Sequence, residues 1–399
     1  MAYLTGQTEQ GNLEIAELKN GVFECAPYIP YRIKKIGKTN TWHMMHMKAV
    51  GKKGEKIKVR INWPIFDPDL VPDEIKNQPN YEIEWNSFVT AARDVVFTSA
   101  DRINWTRIED AVLEGDTIYF ETELLDDESY FTIALYYTIA NYKNLIETVK
   151  DNKFVKTEII GTDSGGDEIY AFTVTDFSCP DDGKIAVHLQ GAQHCSEFNG
   201  AHLCDFMIRY LAQGDENVKE LLKKYIFTFI PVASVTSWRL GLDVHHSGKN
   251  PNRDWIDLEL DSTKAIHRFM SKLAVKPSLL IDIHSGLANY GSWVTCQALN
   301  VNTKKSDEEV AEMKRFFDIV YENCSFLPEA EHYWFDPCDD TMFDGYGSQY
   351  GQTHTMEISH YAMYDREAGR HFPIDQNGIN RFARQLPHAI DLFFKTKEK

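Results

Sequence analysis

Ile185-Ala186-Val187-His188-Leu189-Gln190 runs directly into Gly191-Ala192-Gln193-His194-Cys195-Ser196-Glu197, and the fold follows from how this stretch is read. Its first six residues form a short, mostly apolar run that predicts a buried strand. Asn199–Ala212, with apolar residues at helical spacing, predicts a helix immediately after it. Strands that feed helices build parallel sheets covered on both faces, and in such sheets ligands sit beyond the carboxyl ends of the strands. His194 and Glu197 stand at one of those ends. The His-x-x-Glu spacing lets an imidazole and a carboxylate converge from one turn onto a single ion, and zinc accepts such N and O donors. In a chain with 14 His and 60 Asp or Glu residues the pattern also arises by chance, so it needs company.

The same alternation continues outward. Tyr225–Val232, Leu279–Ile283 and His354–Ile358 read as strands, and Thr263–Ala274, Ser306–Cys324 and Ile379–Phe394 as helices. On the near side come a helix at Asn141–Val149 and a hairpin. Its strands are Phe154–Ile160 and Glu168–Val174, joined by the turn residues Asp163-Ser164-Gly165-Gly166-Asp167. The prediction is an α/β fold with a mixed, largely parallel sheet covered by helices. The first third differs. Trp42–Ala49, Glu55–Trp63, Tyr81–Trp85, Val95–Thr98 and Thr117–Leu124 are short, several alternate polar with apolar, and turn residues separate them. They predict an antiparallel β-sandwich domain. A length of 399 residues exceeds what one core usually organises, so the division is placed at 1–136 for the β-rich domain and 137–399 for the catalytic one.

Three further elements give the first one company. His284 follows the apolar strand Leu279–Ile283 and so shares the carboxyl edge with His194 and Glu197; taken singly it reads equally as a hydrogen-bonded structural histidine. Asp282, two residues earlier, is a candidate to hold that histidine from behind, with alternation along the strand, which would point it away, as the opposing reading. Asn252-Arg253 suits capture of a carboxylate, because guanidinium presents a rigid fork of donors, although a surface salt bridge reads as well. Glu357, in His354-Thr355-Met356-Glu357-Ile358-Ser359, is a carboxylate in a β-like, mostly uncharged stretch and costly to bury without purpose; a carboxylate satisfied by a neighbouring Lys or Arg is the alternative.

In this order the four elements resemble the zinc carboxypeptidase family, the carboxypeptidase A-like enzymes, over the last two-thirds of the chain. The wording around Glu357, the stretch Tyr136–Asn141 and the preceding β-rich domain are most similar to the cytosolic carboxypeptidase subgroup. The resemblance implies one zinc ion per chain held by His194, Glu197 and His284. It implies Glu357 as catalytic base, Asn252 and Arg253 as the carboxylate-binding pair, and a peptide or protein C-terminus as substrate. One departure stands out: Pro231-Val232-Ala233-Ser234 occupies the place where the family carries Asn-Pro-Asp-Gly. Arg239 is the candidate for the family's oxyanion-stabilising arginine, with an ordinary exposed arginine as the alternative. Tyr346 is the candidate for the substrate-capping tyrosine, with Tyr350 as the other choice.

Bulk properties exclude some partners. A formal charge of -18 argues against nucleic acid, whose binders need basic surfaces. The apolar runs fall short of a membrane span. Seven cysteines without paired spacing, and a start without a basic, apolar leader, give the expectation of a cytoplasmic protein with reduced thiols. Between Trp334 and Met356 there is no Lys or Arg, whereas Asp336, Asp339, Asp340 and Asp344 are present, which favours basic or neutral C-terminal residues. Three rival readings remain: a zinc deacylase of the aspartoacylase or succinylglutamate desuccinylase type, a cysteine hydrolase using Cys195, and a binding module without activity. Oligomeric state is not legible.

Overall fold

The computed structural model describes residues 2–27, 45–62, 96–114, 117–241, 247, 249–285, 298–302, 305–325, 333–336, 342–358, 362–365 and 369–397. The strand expected at Tyr81–Trp85 lies outside these residues. Two five-stranded sheets form the N-terminal part. One takes β1 (Tyr3–Thr5), β4 (Met45–Val50), β10 (Glu128–Ile133), β6 (Val96–Ser99) and β7 (Thr106–Arg107), in that spatial order. The other takes β2 (Leu13–Lys19), β3 (Val22–Pro27), β5 (Lys56–Asn62), β9 (Thr117–Glu123) and β8 (Val112–Glu114). All pairs are antiparallel except β3 with β5, which run parallel. The two sheets share one core, in which Met45, Met47, Ile57, Val59, Ile61 and Ile118 are buried. The Phe120 and Phe131 rings meet across the sandwich at 5.7 Å.

The first sheet is covered on its other face as well. Alternation along a strand sends Phe131 and Ile133 of β10 into the sandwich core and Tyr130 toward the second core. His46 of β4, fully buried, lies 5.2 Å from the Tyr136 ring, which in turn packs at a tilt against Phe198 at 4.2 Å. Polar links span the same seam. Gln10 donates through Nε2 to the Trp238 carbonyl and accepts at Oε1 from the Ile139 N–H. Gln376 donates to the Ile103 carbonyl and accepts from the Trp105 N–H.

The second core surrounds an eight-stranded sheet of spatial order β11, β12, β14, β13, β15, β18, β16, β17. These are Val155–Thr162, Glu168–Val174, Tyr225–Ile230, Ile185–Gly191, Pro277–His284, Gln352–Glu357, Ala298–Asn302 and Tyr333–Asp336 respectively. The four strands from β14 to β18 run parallel; β12 joins β14 antiparallel, and β16 joins β18 antiparallel. The helices are α1 (Ile139–Val149), α2 (Phe198–Gln213), α3 (Glu216–Leu222), α4 (Val235–Arg239), α5 (Asp261–Lys272), α6 (Asp307–Asn323), α7 (Phe343–Gly347) and α8 (Gln376–Lys397). Local signals set their starts. Thr138 opens α1 and Ser306 opens α6 with reciprocal capping boxes, and Asp307, Glu308 and Glu309 suit the positive end of the α6 dipole.

Register positions the site. Gly191 lies opposite Ile283, and His284 lies opposite Glu357, so three strands end at one level. Two glycines let α2 settle on those ends. A Cβ on Gly191 would come within 2.6 Å of the Gly200 carbonyl carbon, and one on Gly200 within 2.7 Å of the Ile283 oxygen. Only glycine permits this approach, and it sets Glu197, the residue preceding α2, above the sheet edge.

Candidate metal centre

His194 and Glu197 come from the turn between β13 and α2, and His284 ends β15. Their ligand atoms all lie within 4.8 Å of one another. Glu197 bridges the two histidines, Oε1 being 2.9 Å from His194 Nδ1 and Oε2 2.8 Å from His284 Nδ1. The turn that carries them is strained: Ala192 is a non-glycine residue with φ 47°, pinned by the Ser234 N–H on its carbonyl at 3.1 Å.

The chemistry of this donor set fits a divalent cation. His284 Nε2 faces Asp282 Oδ2 at 2.7 Å, and His194 Nε2 faces Asn250 Oδ1 at 2.9 Å. Both partners accept, so in each ring Nε2 is the donor to the oxygen behind it and Nδ1 is the atom turned toward Glu197. Those two Nδ1 atoms are 3.2 Å apart with a carboxylate against both. Such an arrangement calls for positive charge between them. Burial opposes charge on His284, but Asp282 and then Glu197 outweigh it and hold its pKa well above the ordinary imidazole value. His194 is raised for the same reason, burial again working against the Glu197 carboxylate. Glu197 is itself held far below the usual carboxylate range: burial would raise it, and the two imidazoles overcome that. A cation shared by two imidazoles and a carboxylate, each imidazole oriented from behind by an oxygen, is the way proteins hold zinc.

Glu357 completes the edge. It sits beside His284 in register, and its Oε2 is buried without a hydrogen-bond partner among the described residues. Burial pushes its pKa up to about 7, with the His284 charge working against that rise. A carboxylate of that character next to a cation site can take and return a proton near neutrality.

Residues 142–313 match the zinc carboxypeptidase family. The chain carries a zinc carboxypeptidase domain. It is therefore a hydrolase, and His194, Glu197, Asn252, Arg253 and His284 fall within the matched stretch while Glu357 lies beyond it. The fold is similar to that of a metallo-carboxypeptidase from Burkholderia cenocepacia, at 14% identity and TM-score 0.75, covering 99% of this chain and 100% of the other. A metallo-carboxypeptidase from Pseudomonas aeruginosa in complex with (2-guanidinoethylmercapto)succinic acid is similar at 14% identity and TM-score 0.74, covering 98% and 99%. Both likenesses span the N-terminal sandwich together with the carboxypeptidase domain. No curated protein matches the chain.

The other sequence candidates divide. Asn252 is buried next to the triad, its Nδ2 3.5 Å from His284 Nε2, and its Oδ1 accepts the Phe343 N–H. Arg253 is exposed and spends one Nη1 hydrogen bond on the Asn252 carbonyl, with no carboxylate partner among the described residues. Arg239 is engaged by a carboxylate outside the triad. Its Nε pairs with Asp167 in the β11–β12 turn at 2.6 Å, where Thr236 also binds Asp167. Tyr346 is packed rather than poised: its ring stacks on Trp255 at 4.9 Å and its hydroxyl meets that of Tyr350 at 3.1 Å. Of the acidic residues near the expected specificity pocket, Asp339 and Asp340 lie outside the described residues. Asp344 is buried and accepts from Thr355.

Two supports went unread in the sequence. Asn250 holds His194, and Gln190 donates to Asp282. The signal for Gln190 was present: it and Asp282 are polar residues in mostly apolar strands. Asp282 reaches His284 because residues two apart on a strand share a face.

Proposed function

We propose that this protein is a zinc-dependent carboxypeptidase that removes C-terminal residues from peptides or proteins. The observation that carries the reading is the pair of Nδ1 atoms on His194 and His284 converging on Glu197, with Glu357 beside them. His194, Glu197 and His284 would hold one zinc ion, which when bound would supply a Lewis acid for the scissile carbonyl and bring the pKa of a water to about 7. The chain's own residues do the rest. Glu357 takes the proton of the attacking water and passes it to the departing amine. Asn252 and Arg253 hold the free α-carboxylate, which restricts attack to the last peptide bond. Arg239 remains our candidate for the developing oxyanion, a role that requires it to leave Asp167. Tyr346 would cap the substrate only after its contacts with Trp255 and Tyr350 loosen.

The absence of Lys and Arg from Trp334 to Met356, with four aspartates there, supports basic or neutral C-terminal residues as the preferred substrates. The odd number of cysteines supports a reducing, cytoplasmic location.

The test is release of C-terminal Lys, Phe and Glu from matched peptides, with and without a chelator, by the wild-type chain and by His284→Ala. Chelator-sensitive release by wild type, lost in the variant, is expected. Hydrolysis of acyl-amino acids with none of the peptides would move the enzyme to the deacylases, and preferential release of Glu would overturn the specificity.

A further inference from the structure

Behind the triad lies a layer of buried polar side chains that the mechanism does not use. Asp282 is fully buried, and no lysine or arginine pairs with it among the described residues. A carboxylate in that position needs hydrogen-bond donors. It has three: Gln190 Nε2 at 3.0 Å on Oδ1, and Gln193 Nε2 and His284 Nε2, each at 2.7 Å, on Oδ2. Gln193 is itself 1% exposed, and its Oε1 accepts from the Trp255 indole N–H at 2.6 Å.

The direction of each bond in this series is forced. An indole N–H can only donate and an ionised carboxylate can only accept, so the Gln193 amide between them has one orientation. Trp255 therefore decides which way Gln193 points, Gln193 holds the Asp282 carboxylate against His284, and Asp282 keeps the His284 proton on Nε2. Trp255 is firmly seated, stacked on Tyr346 at 4.9 Å and edge-on to Phe343 at 4.9 Å. Phe343 in turn donates its N–H to Asn252, three residues before Trp255. Gln193 adds a tie of its own, its carbonyl accepting from Ser234 Oγ at 2.6 Å.

We propose that Gln193 and Trp255 are positioning residues, which orient Asp282 and through it set His284 for the metal, so that the loop carrying Asn252 and Arg253 is mechanically tied to the metal centre. The proposal rests on the reading of His194, Glu197 and His284 as a zinc site. Loss of a partner that orients a ligating histidine typically costs about 10–100-fold in metal affinity.

The experiment is zinc affinity of the whole chain by competition with a chromophoric chelator, with melting of each zinc-free protein followed by circular dichroism. Gln193→Met removes both amide hydrogen bonds at similar length. Trp255→Phe keeps an aromatic ring in the stack but removes the N–H. We expect zinc binding about 10–100-fold weaker for Gln193→Met, a smaller loss for Trp255→Phe, and a double variant no weaker than Gln193→Met alone. If Gln193→Met does not fold, Trp255→Phe carries the test. Folded variants that bind zinc like wild type overturn the proposal, as does a double variant whose loss is the product of the two single losses. A wild-type chain that takes up no zinc overturns the triad reading and this one with it.

Discussion

Glu357 and the triad owe their place to a simple property of strands: a residue just past the carboxyl end of one strand meets its counterpart on the next. That is why His194, His284 and Glu357 could be picked from the sequence. Each follows or closes a recognisable strand, and register brings the ends of those strands level. Arg239 and Tyr346 were chosen from the same string, yet contacts from other elements claim them, Asp167 for the one and Trp255 and Tyr350 for the other. For a side chain on a short helix or loop, position depends on partners distant in sequence. Glu357→Gln keeps the size of the group and removes its basicity. We expect it to retain zinc and lose about 10²–10⁴-fold in kcat; zinc-loaded Glu357→Gln with wild-type turnover would contradict the assignment.

The elements around the site were legible to different degrees. The buried strands β13, β14 and β15 announce themselves as short apolar runs, and α2 by its apolar spacing. The small helix α7 and the strands β16 and β17 gave no comparable signal, because short pieces take their conformation from what they pack on. The contact of α2 with the sheet edge is just as invisible beforehand, since it depends on two glycines that meet only after folding. Gly200→Ala places a methyl group 2.7 Å from the Ile283 oxygen and must push α2 away from β15. A loss of about 1–3 kcal/mol is expected from such overpacking, with weaker zinc uptake because Glu197 moves with the helix. Urea unfolding and zinc competition check both parts, and a variant equal to wild type in each would show that the edge can yield.

Across the assembled chain, burial rather than partnership governs several histidines. Desolvation drives the pKa of His188 and of His202 down to about 4 and that of His46 down to about 3. Each is neutral in the fold and gains a proton on unfolding once the pH is below its ordinary value. Their contribution to stability is therefore complete above about pH 6.5 and is lost as the pH falls toward 4. At pH 5 each costs on the order of 2 kcal/mol relative to pH 7. Urea midpoints at the two pH values should differ accordingly. His202→Gln, which keeps a donor for the Tyr136 carbonyl now bound at 2.9 Å, should flatten the slope. A slope unchanged in that variant would place the acid sensitivity elsewhere.

What could be read from residues alone was the class of fold and the three candidate metal donors, because hydrophobic periodicity and short-range spacing are local properties of a chain. The seam was not local. β4 and β10 are buried on both faces, one against the sandwich core and one against Tyr136 and its neighbours, so their alternation did not announce a second partner. Nor was the support of the metal centre local. Asn250 and His194 are 56 residues apart, and Gln193 and Asp282 are 89 apart. Only the folded sheet, by ending its strands at one level, brings such distant donors and acceptors within hydrogen-bonding distance.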